Sequence, residues 1–344
     1  HGTLKMSDNN FLSSDVDPED KTLDIALRPK RFTDFIGQES IKENLHIYIE
    51  ASKKRGDVLD HILFSGSQGL GKTTLSQIIA NEINVDIKAT SGPVLDKPGD
   101  LAGILTNLKQ GDILFIDEIH RLNKTTEEYL YSAMEDYSID ILIDQGPSSR
   151  SVKINLPNFT LIGSTTREGL LTPSFRARFG VLERLDFYPW KELKEIAVKS
   201  SKILKIEIDD KSAEMIAKSS RGTPRIVNRF IRRIRDVAQV KGSNKITESI
   251  TKLGFNMLGV DNDGFGNLDR KILQAIIQHG GGPIGLKTIA VSVNEQEDTI
   301  EEVYEPYLIQ KGYLSKTPRG RVATQLAYEY MGHKAITEKQ TTFF

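Results

Sequence analysis

The stretch GSQGLGKTT, Gly66 to Thr74, follows the apolar run HILFS and opens the helix-forming segment KTTLSQIIANEI. It satisfies G-x-x-x-x-G-K-[ST] in the setting that motif requires, with a strand before it and a helix behind. Glycines let the backbone turn successive N–H groups onto phosphate oxygens at the positive end of the helix. In that arrangement Lys72 reaches the β- and γ-phosphates, and the Thr73 hydroxyl ligates Mg²⁺. A glycine-rich turn that binds nothing needs neither group. The loop commits this part of the chain to an α/β domain.

The flanking pattern agrees. SIKENLHIYIEASKKRG is helical, while VDIKAT, GDILFIDE and PNFTLIGST read as further buried strands, so strands alternate with helices as in a parallel sheet. GDILFIDEIH ends an apolar strand in Asp117 and Glu118, about 45 residues beyond Lys72. Asp117 fits the carboxylate that holds Mg²⁺ through water, and Glu118 the base that polarises the attacking water. TLIGSTTR ends in hydroxyls placed to hydrogen-bond a γ-phosphate or that water; Thr165 and its neighbour Thr166 are equal candidates. Arg176 and Arg178 in FRARFG, and Arg225 in RGTPR, are ambiguous, since most arginines are surface residues.

Beyond residue 190 the strands stop. WKELKEIAVKSSKIL, KSAEMIAKSS and TPRIVNRFIRRIRDVAQV carry helical periodicity and predict a small helical domain. In the last of these, Ile226, Phe230, Ile234 and Val237 mark a buried face, with Arg229, Arg232, Arg233 and Arg235 toward the surface. DNDGFGN (261–267) is a linker by composition. Short helices and the hairpin-like YLSKTPRGRVAT follow, the pattern of a winged helix. The expected divisions are a flexible arm over 1–24 that opens with an expression scar, HGTLK; a large α/β domain over 25–189; a helical lid over 190–260; a winged helix over 261–335; and a tail over 336–344.

With no cysteine in 344 residues, disulfides, thiolate metal sites and cysteine nucleophiles are excluded. No apolar run reaches the roughly 18 residues of a membrane span, and a cytoplasmic location is expected. A net charge of −1 is silent on nucleic acid, but its distribution is not. KGYLSKTPRGR carries Lys311, Lys316, Arg319 and Arg321 and no acid. Such a wing suits backbone phosphates, whose contacts carry no sequence information. Between 139 and 157, IDILIDQGPSSRSVKINLP reads as a β-hairpin.

Taken in chain order, LRPKRFTDFIGQ, GLGKTT, LFIDEIHRL, AMEDY, TLIGSTTREG, RARFG, RGTPRIVNRFIRRIRD and EPYLIQKGYLSKTPRGRVAT resemble the RuvB family, AAA+ ATPases that drive Holliday-junction branch migration. The resemblance runs from about Leu27 to Tyr330. It implies an α/β ATPase domain, a helical lid and a C-terminal winged helix. It also implies a homohexameric ring on duplex DNA, with ATP and Mg²⁺ between subunits. Leu27 and Arg28 would border the base, and Gly69, Gly71, Lys72, Thr73 and Thr74 would hold the phosphates. Glu135, Asp136, Tyr137 and Tyr188 would lie near the nucleotide. Arg178 would reach the neighbouring subunit's γ-phosphate, and Arg225 would sense the nucleotide in its own subunit. The 139–157 hairpin would dock a tetrameric junction-binding partner, with Ile141 and Ile143 as contacts, and a junction resolvase is a further expected partner. A clamp-loader-like or remodelling ATPase would share everything through Arg225 but not the basic winged helix. A scaffold without turnover would not need Lys72, Asp117, Glu118 and Arg178 together.

Three departures from the family pattern stand out. Ser67-Gln68 replaces Pro-Pro in the phosphate loop, which loosens it. Lys316 stands where arginine is usual, losing the bidentate fork. Ser164 replaces alanine, adding a hydroxyl beside the strand end.

Overall fold

The computed structural model describes residues 25–142 and 151–333. The arm, the tail from 334 and the hairpin tip with Ile143 lie outside the described residues, as does the side chain of Ile141. Two compact units divide the described residues: one over 28–188, and a second that takes in 189–333.

The first unit is built on five parallel strands. These are β1 (Ile62–Ser65), β2 (Ile87–Ser91), β3 (Ile113–Asp117), β6 (Thr160–Thr165) and β7 (Val181–Arg184), in the order β2-β3-β6-β1-β7. Every residue of β1 and β6 is buried, as unbroken apolar runs in the middle of a covered sheet should be. Helices α1 (Glu39–Arg55), α2 (Lys72–Ile83), α3 (Pro98–Leu105) and α4 (Lys124–Asp136) connect and flank the strands. A core of Leu63, Leu114, Ile116, Leu130, Phe159, Leu161 and Phe175 fills the layer beside them. The edge strand β7 has no counterpart in the sequence reading. Only four residues long, it leaves Leu182 half exposed, so VLER carries neither an apolar run nor a clean alternation.

The hairpin forms where expected. Strands β4 (Ser138–Leu142) and β5 (Ser151–Asn155) pair antiparallel, with Ile139 opposite Ile154 and Ile141 opposite Val152. Ile139 is buried in the core, whereas Val152 is 41% exposed.

In the second unit, helices α6 (Trp190–Ile203), α7 (Asp210–Ser219), α8 (Pro224–Val240) and α9 (Glu248–Leu258) form the lid; α5 is the single turn Pro173–Arg176 of the first unit. The buried face of α8 is Val227, Phe230, Ile231, Ile234 and Ala238. Ile226 and Val237 fall at its margins, and Arg232, expected on the surface, is buried. The predicted stripe was therefore rotated, because α8 is covered by more than one neighbouring helix.

The winged helix contains α10 (Asn267–Gln278), α11 (Leu286–Val293) and a helix from residue 297 to 310 interrupted by a π turn at Ile300–Tyr304. The wing pairs Leu314–Thr317 with Gly320–Ala323, and Ile284 bridges Arg321 as a third rung.

DNDGFGN joins the lid to the winged helix as a packed segment. Phe265 is fully buried and meets Tyr307, Tyr313 and Tyr330 edge-on, with centroids 4.8–5.6 Å away. Gly264 has φ +77°, and a Cβ there would lie 2.3 Å from the Ser219 carbonyl oxygen of the lid. From the lid, Arg221 donates through Nε to the Gly264 carbonyl at 2.9 Å and pairs with Asp269. Its guanidinium also lies 4.9 Å from the Tyr307 ring centroid. Both ends of that pair are sealed, Arg221 at 2% and Asp269 at 0% side-chain exposure. Lid and winged helix thus share one interior.

Candidate nucleotide site and DNA-facing wing

Strand order decides which side chains meet. With β3, β6 and β1 adjacent and parallel, the segments after Ser65, Asp117 and Thr165 emerge side by side at the carboxyl edge of the sheet. The phosphate loop leaves β1 there, fixed by Gly66 N–H donating to the Thr165 carbonyl at 3.2 Å. Gly66 takes φ +131°, and a Cβ would sit 2.5 Å from the Leu185 carbonyl oxygen, so no other residue fits. Lys72 Nζ donates to the carbonyls of Gly66 at 2.7 Å and Ser67 at 2.8 Å, which aims the ammonium into the mouth of the loop. Thr73 and Thr74 follow on the first turn of α2, partly buried. Gly69 and Gly71 also hold positive φ. Tyr188 is buried and donates its hydroxyl to the Leu70 carbonyl of the loop at 3.1 Å. Asn81 of α2 donates to the Lys30 carbonyl at 3.0 Å, which ties the LRPKRF segment to the same helix; Arg28 is exposed and Leu27 buried.

At the next strand end, Asp117 Oδ1 accepts the Glu118 N–H at 3.1 Å and the Ser164 hydroxyl. Glu118 occupies the left-handed region at φ 49°, with Oε2 3.1 Å from Arg121 Nη1. The two threonines differ sharply. Thr165 Oγ1 accepts the Arg167 N–H at 3.0 Å and lies 3.0 Å from His120 Nδ1. Thr166 Oγ1 is buried with no hydrogen-bond partner. An unpartnered buried hydroxyl costs about 1–3 kcal/mol, and here it stands at the edge where phosphate would lie. Ammonium, hydroxyls and carboxylate together fit a nucleotide with Mg²⁺, an ion that prefers oxygen ligands and keeps much of its water.

Arg178 is somewhere else. Its guanidinium lies 4.5 Å from the centroid of the Tyr131 ring, hydrogen-bonds the Tyr131 hydroxyl and pairs with Glu135 Oε2 at 3.0 Å. Tyr137 packs against Phe159 at 5.7 Å and His61 at 6.2 Å, residues that precede β6 and β1. Glu135 and Tyr137 thus gather at the edge opposite the phosphate loop, with Arg178. The cause is the βα layout. Helix α4 starts near the carboxyl edge after β3 and runs back, so its C-terminal residues arrive at the amino edge. His61 closes this region: Nδ1 accepts the Leu161 N–H at 2.9 Å, which places the proton on Nε2 facing the Met134 carbonyl at 3.2 Å. Burial pushes its pKa down, outweighing that carbonyl.

Arg225 lies exposed on the first turn of α8. In the wing, Arg321 is held from within the module. It is 9% exposed, and its Nε and Nη2 meet the two carboxylate oxygens of buried Glu305 at 2.5 and 3.2 Å. Glu301 and Glu305, one helical turn apart, face the wing; TIEEVYEP was the signal that its charge is partly neutralised from within. Lys316 also pairs with Glu301, at 2.8 Å, yet stays half exposed. Arg319, at the turn, is exposed and makes no ion pair among the described residues.

A phosphate loop between strand and helix, an acidic pair on the next-but-one strand, a polar strand end between them and an all-helical lid define an AAA+ P-loop ATPase. Family models then match nearly all of the described chain: the Holliday junction DNA helicase RuvB P-loop domain over residues 27–185, the RuvB AAA lid domain over 188–261 and the RuvB C-terminal winged helix domain over 262–332. The chain belongs to the RuvB family. It is 52% identical over 341 residues to the Holliday junction branch migration complex subunit RuvB of Salinibacter ruber, covering 99% of each chain. Against the same subunit of Myxococcus xanthus it is 53% identical over 337 residues, covering 98% of each. The solved RuvB Holliday junction branch migration motor of Thermotoga maritima superposes with a TM-score of 0.83 at 50% identity, over 90% of this chain and 99% of that one.

Proposed function

We propose that this chain is the ATP-hydrolysing motor of Holliday-junction branch migration in recombination and repair. It works in the cytoplasm as a hexameric ring on duplex DNA. The observation that carries the ring is the separation of Arg178 from Lys72. The arginine and the phosphate loop occupy opposite edges of one sheet, so an arginine that reaches a γ-phosphate must reach a neighbour's. Bound nucleotide and Mg²⁺ supply the phosphoryl group and the charge that activates it. Lys72 and the loop N–H groups hold the phosphates, with Thr73 and Asp117 toward the metal. Glu118 draws the proton from the attacking water, and Thr166 donates to the γ-phosphate. Arg225 on the lid responds to the nucleotide of its own subunit. Because lid and winged helix share a core, lid rotation moves the wing, where Lys316 and Arg319 grip backbone phosphates of any sequence. The hairpin, with exposed Val152 on one strand, docks the tetrameric junction-binding partner.

The test is ATPase rate against protein concentration, with and without duplex DNA, for the wild type and Arg178→Ala. The wild-type rate rises cooperatively and is stimulated by DNA. Arg178→Ala loses about 10³-fold or more in turnover while still binding nucleotide. Normal hydrolysis by Arg178→Ala would refute the trans assignment.

A further inference from the structure

We infer that Ser164, the serine standing where the family pattern has alanine, is a positioning residue for the metal-side carboxylate of Asp117. Ser164 is fully buried in β6, and the neighbouring strand β3 carries Asp117 at its end. A hydroxyl sealed from water must spend its proton inside the protein, and the acceptor here is Asp117 Oδ1. That oxygen also takes the Glu118 N–H at 3.1 Å. Two donors from two directions fix the plane of the carboxylate, whose terminal torsion is otherwise broad and two-fold. They also assign its oxygens: Oδ1 is held by the protein, and Oδ2 is left for a metal-bound water. With alanine, only the backbone N–H would hold the group. A charge-assisted bond of this kind is among the stronger ones available to a side chain.

This rests on the Mg²⁺-nucleotide reading of the site, so its test separates the two. Mn²⁺ binding to the complex with a non-hydrolysable ATP analogue is followed by electron paramagnetic resonance, through loss of the free hexaaqua signal. Mn²⁺ affinity of Ser164→Ala falls about fivefold or more, the scale of one lost charge-assisted hydrogen bond. Nucleotide affinity in EDTA stays at the wild-type value. Ser164→Cys, a near-isostere with a weak donor, falls between the two and guards against a packing effect of the smaller side chain. Unchanged Mn²⁺ affinity in Ser164→Ala overturns the proposal. So does tighter binding, which would mean that the hydroxyl withdraws charge rather than orienting the carboxylate. Failure of the wild type to bind Mn²⁺ with nucleotide at all would instead sink the underlying site.

Discussion

Two adjacent threonines at the end of β6 show what a single hydroxyl's surroundings decide. Thr165 is engaged by His120 and Arg167, whereas the buried hydroxyl of Thr166 has no partner. Thr166→Val is therefore expected to cut turnover by about 10²-fold, the scale of one lost transition-state donor, and to leave thermal stability unchanged or raised. Thr165→Val should instead lower the melting temperature, since it strands a backbone N–H, and cost less in turnover. Melting curves and steady-state ATPase rates on the two variants check this; the opposite pattern would return the role to Thr165. The sequence could not separate them, because STT presents two identical groups and their difference lies in His120, 45 positions upstream. Lys72, Asp117 and Glu118 were legible because each chemistry demands its residue at a fixed place in the motif. The surroundings of Arg321 were not legible for the converse reason: its basic neighbours are local, while the Glu305 that pairs with it comes from another element.

Element direction accounts for much of the rest. Strands with unbroken apolar runs, such as ILFS and ILFID, announce themselves, and so does the helix that follows a phosphate loop. The short edge strand VLER does not. Nor does AMEDY reveal which edge of the sheet it reaches until α4 is known to run back across the layer. The amino edge also contains the clearest pH dependence of this unit. His61 accepts from Leu161 as a neutral ring, and burial depresses its pKa below the ordinary value of 6.5. The unfolded chain therefore takes up a proton first as pH falls. Stability from this group is present above about 6.5 and is lost as pH falls through the depressed folded value. Melting temperature should drop more between pH 7.5 and 5.5 in the wild type than in His61→Gln. Equal slopes would show that the ring does not titrate between the two states.

At the scale of the whole molecule, a formal charge of −1 coexists with a proposed grip on a polyanion. The structure narrows that grip further, since Glu301 and Glu305 engage Lys316 and Arg321. Among the described residues, Arg319 is the wing-strand charge without an ion pair. Its replacement by alanine should weaken duplex binding about equally for unrelated sequences and lower the salt slope by about one. Fluorescence anisotropy titrations across a salt series measure both, and a sequence-dependent loss would mean that the wing reads bases.

The buried pair between Arg221 and Asp269 bears on how this chain can be taken apart. A cut at DNDGFGN, where composition invites one, would not free a self-sufficient DNA-binding module. The fragment would lose the guanidinium that pairs with Asp269; removing one partner of a buried pair costs about 3–5 kcal/mol out of the roughly 5–15 that hold a domain together. In the isolated fragment Asp269→Asn should raise the melting temperature, whereas in the full chain the same change should lower it. One substitution with opposite signs in the two settings would mean that the winged helix is inherited, expressed and evolved together with its lid, and is not a part that can be transplanted alone.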